Sequence, residues 1–182
     1  MKKVNNIKFD NQIVGENIIL RKHKIYDVDN PHNLEYFDKF NNMIEQNIDN
    51  IQISELFLSS KFDRIKYLSS VDNDWKNRTK ATYGVLLKET NELIGNISFD
   101  NIDLLNKTGE VSCFIDINYK YENYGSEALN LLTNNFFEKG FKNISSTPYK
   151  YNISERHSLL KAGFFVKQDI DNKIIYNKQQ GR

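Results

Sequence analysis

Apolar positions along the chain change spacing several times, and each change marks an element. After Gly15, the run Asn17-Ile18-Ile19-Leu20-Arg21 is apolar and β-branched and predicts a first strand. From Pro31 to about Leu68 the apolar residues Leu34, Phe37, Met43, Leu56, Phe57, Ile65 and Leu68 recur at mixed helical spacings within polar sequence, which predicts two helices. The stretch from Val71 to Arg78 is polar apart from Trp75 and predicts a loop leading to the sheet, with Trp75 as a packing anchor. Two strand-like runs follow, Thr82 to Leu87 and Leu93 to Phe99, and the turn-prone Glu89-Thr90-Asn91-Glu92 joins them as a hairpin. A third run, Glu110 to Ile117, follows a turn around Asn106 to Gly109 and extends an antiparallel meander. Then the period switches. Ala128, Leu131, Leu132 and Phe136 form one apolar stripe between a start at Gly125-Ser126 and a stop at Lys139-Gly140, an amphipathic helix. A short strand (Ile144 to Tyr149), a helix (about Ser154 to Ala162) and a final hairpin (Phe164 to Lys167, Ile174 to Tyr176) complete the pattern.

Composition narrows the picture. A length of 182 residues suits one domain spanning 1–182, and 12 Phe and 10 Tyr supply core volume to a chain that is 39% hydrophobic. With 25 Lys+Arg against 24 Asp+Glu, no global field would hold the chain to nucleic acid or to an anionic membrane. The single cysteine, Cys113, excludes an internal disulfide and a Cys-rich metal site, and fits a reducing, cytoplasmic setting. No run approaches the ~18 apolar residues of a membrane helix, and Met1-Lys2-Lys3 leads into polar sequence, unlike a secretory signal.

Candidate chemistry concentrates at two junctions. The segment from Asp116 to Ala128 runs from a strand through a turn into a helix, so the first free N–H groups of that helix point into the turn and can receive an anion. Gly125 permits close approach there, and Asn123 is the best non-glycine residue for a positive φ. An ordinary strand-to-helix connection would use the same residues. In the second segment, Asn152-Ile153-Ser154-Glu155-Arg156-His157-Ser158-Leu159-Leu160-Lys161-Ala162-Gly163-Phe164, Asn152 can cap a helix, Leu159 and Leu160 would face the core, and Gly163 would end it. His157 and Lys161 read as a solvated helix face, and His23 and His32 suggest no shared site.

Taken together, in this order and spacing, the segments resemble the GNAT superfamily, and within it the branch of ribosomal-protein N-terminal acetyltransferases. The resemblance covers roughly Ala81 to Phe164. Glu92-Leu93-Ile94-Gly95-Asn96-Ile97 is similar to that branch's conserved-pattern strand, Lys120 to Gly125 to its acyl-CoA loop, and Asn152 to Phe164 to its N-x-x-[S/A]…K-x-G-F helix. Asn17 to Arg21 looks like the family's opening strand. Lys120, Tyr121 and Asn123 depart from the loop pattern, Glu155 stands at the usual Ser or Ala position, and Leu159 stands where many relatives carry a tyrosine.

The resemblance implies an α/β (α+β) GNAT-type fold, a mixed, mostly antiparallel twisted sheet flanked by helices and splayed at the acyl-CoA site. It implies an acetyl-CoA-dependent N-acetyltransferase that acts by direct attack of a primary amine and needs no metal. The main chain of Ile115 and Ile117 would pair with the pantetheine arm, the N–H groups of Tyr121, Glu122, Asn123, Tyr124, Gly125 and Ser126, next to Lys120, would hold the pyrophosphate, and Asn152 would meet the pantetheine or the acetyl carbonyl. Glu110 matches an acidic residue of the family and would accept the amine proton, although it reads equally well as a solvated strand residue. Ser112, on the same strand face, would bind substrate or pack. Cys113 faces the other way and, with no visible partner base, reads as a core residue. The acceptor stays open among a protein N-terminus, an aminosugar or antibiotic, and a metabolite, as does a homodimer. The alternative is an acyl-CoA-binding or interaction module of the same fold without turnover.

Overall fold

The computed structural model describes residues 7–28, 60–119 and 122–181. The helix predicted from Pro31, with Leu34, Phe37 and Met43, therefore lies outside the described residues, as do Leu56, Phe57, Lys120 and Tyr121. The described strands are β1 (Gln12–Val14), β2 (Ile18–Lys22), β3 (Ala81–Leu87), β4 (Leu93–Asp103), β5 (Thr108–Ile115), β6 (Asn143–Ser146), β7 (Phe165–Ile170) and β8 (Lys173–Gln179). They form one eight-stranded sheet in the order β1-β2-β3-β4-β5-β6-β8-β7. Every pairing is antiparallel except that of β5 with β6. The α-helices among the described residues are α1 (Lys61–Asn77), α2 (Tyr124–Glu138) and α3 (Ile153–Lys161).

The expected loop from Val71 to Arg78 is helix instead, the last turns of α1. Propensity was misleading because Asp72, Asn73 and Asp74 are poor helix formers, but tertiary packing overrides so weak a preference. Leu68, Val71 and Trp75 fall on one face and are buried. Trp75 packs edge-on to Phe9 and Tyr83, and its indole N–H donates to the Thr82 carbonyl at 3.2 Å, so the anchor role holds. The helix begins at a reciprocal cap between Ser60 and Asp63 and ends at Arg78, φ 60°.

The helix α2 matches its predicted stripe: Ala128, Leu129, Leu132 and Phe136 are fully buried, and Phe136 stacks on Phe99 of β4 at 3.7 Å. Leu131 is only partly buried, at the rim of that stripe. In α3, Leu159 is buried but Leu160 is 53% exposed, a correction to the expectation that both face the core. One helix turn advances about 100° per residue, so adjacent residues do not share a face. The strand β1 had no signal strong enough to be predicted, being three residues that pair, among the described strands, with β2 alone.

The parallel pairing of β5 with β6 runs from Thr108 opposite Asn143 to Glu110 opposite Ser145 and stops. Downstream of Ser146 comes Thr147-Pro148, and proline has no N–H to donate to a ladder. The chain stays with the final hairpin: Ile174 N–H donates to the Pro148 carbonyl at 3.1 Å, and Tyr149 bridges to Lys173. It thus leaves β5, and the sheet opens between the two strands. The expected strand to Tyr149 ends early for this reason.

Candidate active site

Strand alternation decides what the opening presents. Phe114 pairs with Asn96 and Ser112 with Ser98, and the Asp116 N–H donates to the Ile94 carbonyl at 2.8 Å, so even-numbered residues spend their main-chain groups on β4. The main-chain groups of Cys113 and Ile115 therefore point into the opening. The strand ends at Ile115, and Ile117 begins a 3-10 turn, Ile117–Tyr119, stabilised by Asn118 N–H donating to Asp116 Oδ1 at 3.0 Å. Of the two residues expected to pair with an extended arm, Ile115 lies on the open edge and Ile117 lies beyond it.

At the far end of this edge sits the N-terminus of α2. Asn123 has φ 66°, the left-handed conformation expected of it, and its side chain makes no capping hydrogen bond to the helix. The first N–H groups of the helix, on Tyr124, Gly125 and Ser126, have no intrahelical acceptor by construction and open into the turn. The Asn123 amide oxygen instead accepts from the Lys161 ammonium, which brings a cation beside those N–H groups. Gly125 is buried, and a Cβ there would lie 2.9 Å from Ser158 Oγ, so the glycine lets α2 and α3 approach at the turn. Ser126 is buried, its hydroxyl donating to the Asn123 carbonyl at 2.8 Å, and Glu122 is exposed.

Two recesses meet along the open edge. One, about 290 Å³, runs from Ile115 and Gly125 to the start of α3. The other, about 550 Å³, lies between α1 and the sheet and is walled by Tyr67, Asp74, Lys80, Ser98, Ser112 and Tyr149. Cys113, Phe114, Tyr151, Asn152 and Glu155 line both and mark the junction. A larger recess of about 850 Å³ beside β2 is lined by Arg21, Lys22, Asp72 and Lys76, whose charges are already paired with one another or with Asp27, and it lies away from the open edge.

Asn152 caps α3, its Oδ1 accepting the Glu155 N–H at 3.3 Å, while its Nδ2 donates to Glu155 Oε2 at 2.8 Å. The Cys113 N–H across the opening also favours the charged form of Glu155. Burial pushes the Glu155 carboxyl up to about 7, against the pull of that N–H. The Cys113 thiol is pushed up by burial and by the nearby Glu155 charge, which suits a packed side chain and not a nucleophile. Sequence reasoning had marked Glu155 only as a departure from pattern.

Ser112 is exposed into the larger of the two joined recesses and bonds Ser98 Oγ at 2.9 Å. Glu110 is placed apart: it accepts from Asn101 Nδ2 at 2.9 Å and lines a different recess, with Asn143, Lys167 and Gln179. It lies three positions before Cys113, roughly 10 Å along a strand. In the wall of the larger recess runs a half-buried polar chain that the sequence did not disclose. His23 Nε2 lies 2.8 Å from Asn96 Oδ1, and Asn96 Nδ2 donates to the Tyr67 hydroxyl at 3.0 Å.

An open strand edge leading to a helix N-terminus, inside a mostly antiparallel sheet, is the frame of an acyltransferase of the GNAT type. The chain belongs to the GNAT acetyltransferase family: residues 17–165 match its acetyltransferase (GNAT) domain. Among solved structures, a ribosomal-protein-S5-alanine acetyltransferase from Vibrio fischeri superposes with TM-score 0.78 at 18% identity, over 94% of this chain and 98% of that one. RimL, a ribosomal L7/L12 α-N-protein acetyltransferase solved with coenzyme A, gives TM-score 0.78 at 16% identity, over 92% and 97%. The microcin C7 self-immunity acetyltransferase MccE, solved with acetyl-CoA and AMP, gives 0.73 at 18%, over 91% and 93%. No match was found among curated proteins.

Proposed function

We propose that this chain transfers an acetyl group from acetyl-CoA to a primary amine by direct attack. The observation that carries the reading is the continuous path from the α2 N-terminus, along the unpaired edge at Ile115 and Cys113, to a junction that a second recess reaches from the other side. In this reading the N–H groups from Glu122 to Ser126 take the pyrophosphate, the Ile115 main chain pairs with the pantetheine, and the thioester stops at Cys113 and Asn152. The Tyr121 N–H, next to Lys120, would join that group, and Ile117 would touch the arm only through its turn. The amine enters through the recess lined by Ser112, which contacts it. A thioester carbonyl gains negative charge on attack, and a main-chain N–H of the open edge stabilises it. Glu110, placed as it is, would reach the amine only through water. The ribosomal-protein relatives favour a peptide N-terminus as acceptor within a cytoplasmic setting.

A thermal-shift series tests this. Acetyl-CoA at ~100 times its dissociation constant should add about 2.7 kcal/mol of stability, while ATP and NAD add much less, and a mixed panel of peptide and small amines should release free CoA thiol. Equal stabilisation by all three ligands would leave only a generic anion turn. Binding without thiol release from any amine would favour the acyl-CoA-binding module.

A further inference from the structure

Resting on the acetyltransferase reading, we propose that Glu155 is the group that takes the proton from the acceptor amine and passes it to the departing CoA thiolate. Geometry carries this. Glu155 lines both recesses beside Cys113 of the open β5 edge and is held by Asn152 Nδ2 at 2.8 Å. Its carboxylate therefore sits where the acyl carbon and the amine must meet. It also has a fixed orientation, which a proton acceptor needs before it needs the right acidity.

Balance follows. An ammonium acceptor first loses a proton to solvent. The neutral nitrogen attacks the thioester carbon, the C–S bond breaks, the surplus N–H proton goes to the Glu155 carboxylate, and the carboxylic acid then protonates the thiolate to give amide and free CoA. The Cys113 N–H has a second use in this sequence. If the thioester oxygen takes that N–H over, Glu155 loses an attraction that favours its charged form and becomes a stronger base as the amine arrives. Burial has already brought the carboxyl to about 7, within the range that serves proton transfer at neutral pH. The titratable groups that line the same recess are Cys113 on β5, Tyr149 and Tyr151 before α3, Tyr67 and Asp74 on α1, and Lys80 before β3, with His23 set behind Asn96.

The test compares wild type, Glu155→Gln and Glu155→Ala for acetyl-CoA affinity by calorimetry and for kcat/KM from pH 5 to 9, with two amines of different acidity. The expected result is an unchanged dissociation constant and a loss of roughly 10²–10⁴-fold in kcat in Glu155→Gln. The wild-type profile should show a limb near pH 7 that is common to both amines and absent from the variant, and formate should restore part of the activity of Glu155→Ala. A wild-type rate and an unaltered limb in Glu155→Gln overturn the inference while leaving the acetyltransferase reading intact. So does a limb that disappears in Glu110→Gln and persists in Glu155→Gln, or a loss explained wholly by weaker acetyl-CoA binding. A wild-type protein that binds acetyl-CoA and acetylates no amine overturns both.

Discussion

A half-buried carboxylate that ionises late should weaken the fold, and replacing Glu155 by Gln should relieve that cost above neutrality. The linkage fixes the sign. Folding raises the Glu155 carboxyl from 4.5 to about 7, so below 4.5 it is protonated in both the folded and the unfolded chain and contributes nothing. Between the two values the unfolded chain ionises and the folded one resists, so the cost grows with pH and is complete above about 7. At about 1.36 kcal/mol per pH unit, the full effect is roughly 3 kcal/mol, a ceiling that residual hydration of the recess will lower. Gln keeps an oxygen for the Cys113 N–H and keeps the volume. For a chain of this length about 1 kcal/mol moves Tm by about 2–4 °C, so Glu155→Gln should melt up to about 6–12 °C above wild type at pH 8. The two should coincide near pH 4. Scanning fluorimetry of both proteins at half-unit pH steps reads the difference directly, and other titrating groups cancel because both proteins share them. A difference that is flat with pH, or a less stable variant at pH 8, would refute the buried-carboxylate argument.

Two further outcomes follow from backbone geometry. Asn123→Gly should keep the positive-φ turn and acetyl-CoA affinity, whereas Asn123→Val should lose about 1–2 kcal/mol of stability and bind acetyl-CoA more weakly by calorimetry; equal affinity in the Val variant would show that the turn does not depend on φ 66°. At Gly95 a Cβ would lie 2.4 Å from the Phe114 carbonyl oxygen, so Gly95→Ala should force β4 and β5 apart beside the site. The expected loss is roughly 1–3 kcal/mol in urea unfolding, and an unchanged midpoint would show that the pair has slack.

The elements that could be read from sequence were those whose signal is local. The α2 stripe, the meander from β3 to β5 and the caps of α3 all depend on spacing and end residues within one segment, and each was found within a few positions. Asn123 was legible for the same reason, because a left-handed residue before a helix has few candidates other than glycine and asparagine. The end of α1 failed because its evidence was not local: Asp72-Asn73-Asp74 argue for a loop, and what overrules them is burial of Trp75 against Phe9 and Tyr83, distant in the chain. The opening of the sheet was half visible. Pro148 announces that β6 cannot continue, but only the pairing of Tyr149 with Lys173 shows which neighbour the chain keeps.

Glu155 marks where local reading runs out. Asn152-Ile153-Ser154-Glu155 has the spacing of a helix cap, and as a cap it is complete: the asparagine accepts from the Glu155 N–H and the motif needs nothing more. In an ordinary capping box the acidic side chain turns back to the N-cap N–H. Here it accepts from the Asn152 side chain and lies within the influence of the Cys113 N–H, a group that the departure of β6 leaves outside the β5–β6 ladder. The property that makes the residue chemically useful therefore depends on three segments: the proline that ends one strand, the edge so exposed on another, and the helix that closes the gap. No spacing rule within α3 contains that information. A carboxylate at a position usually held by Ser or Ala reads as a defect in a motif until the opposite wall is in place, and then its enclosure and the pull of the Cys113 N–H follow from the same splay that admits the thioester.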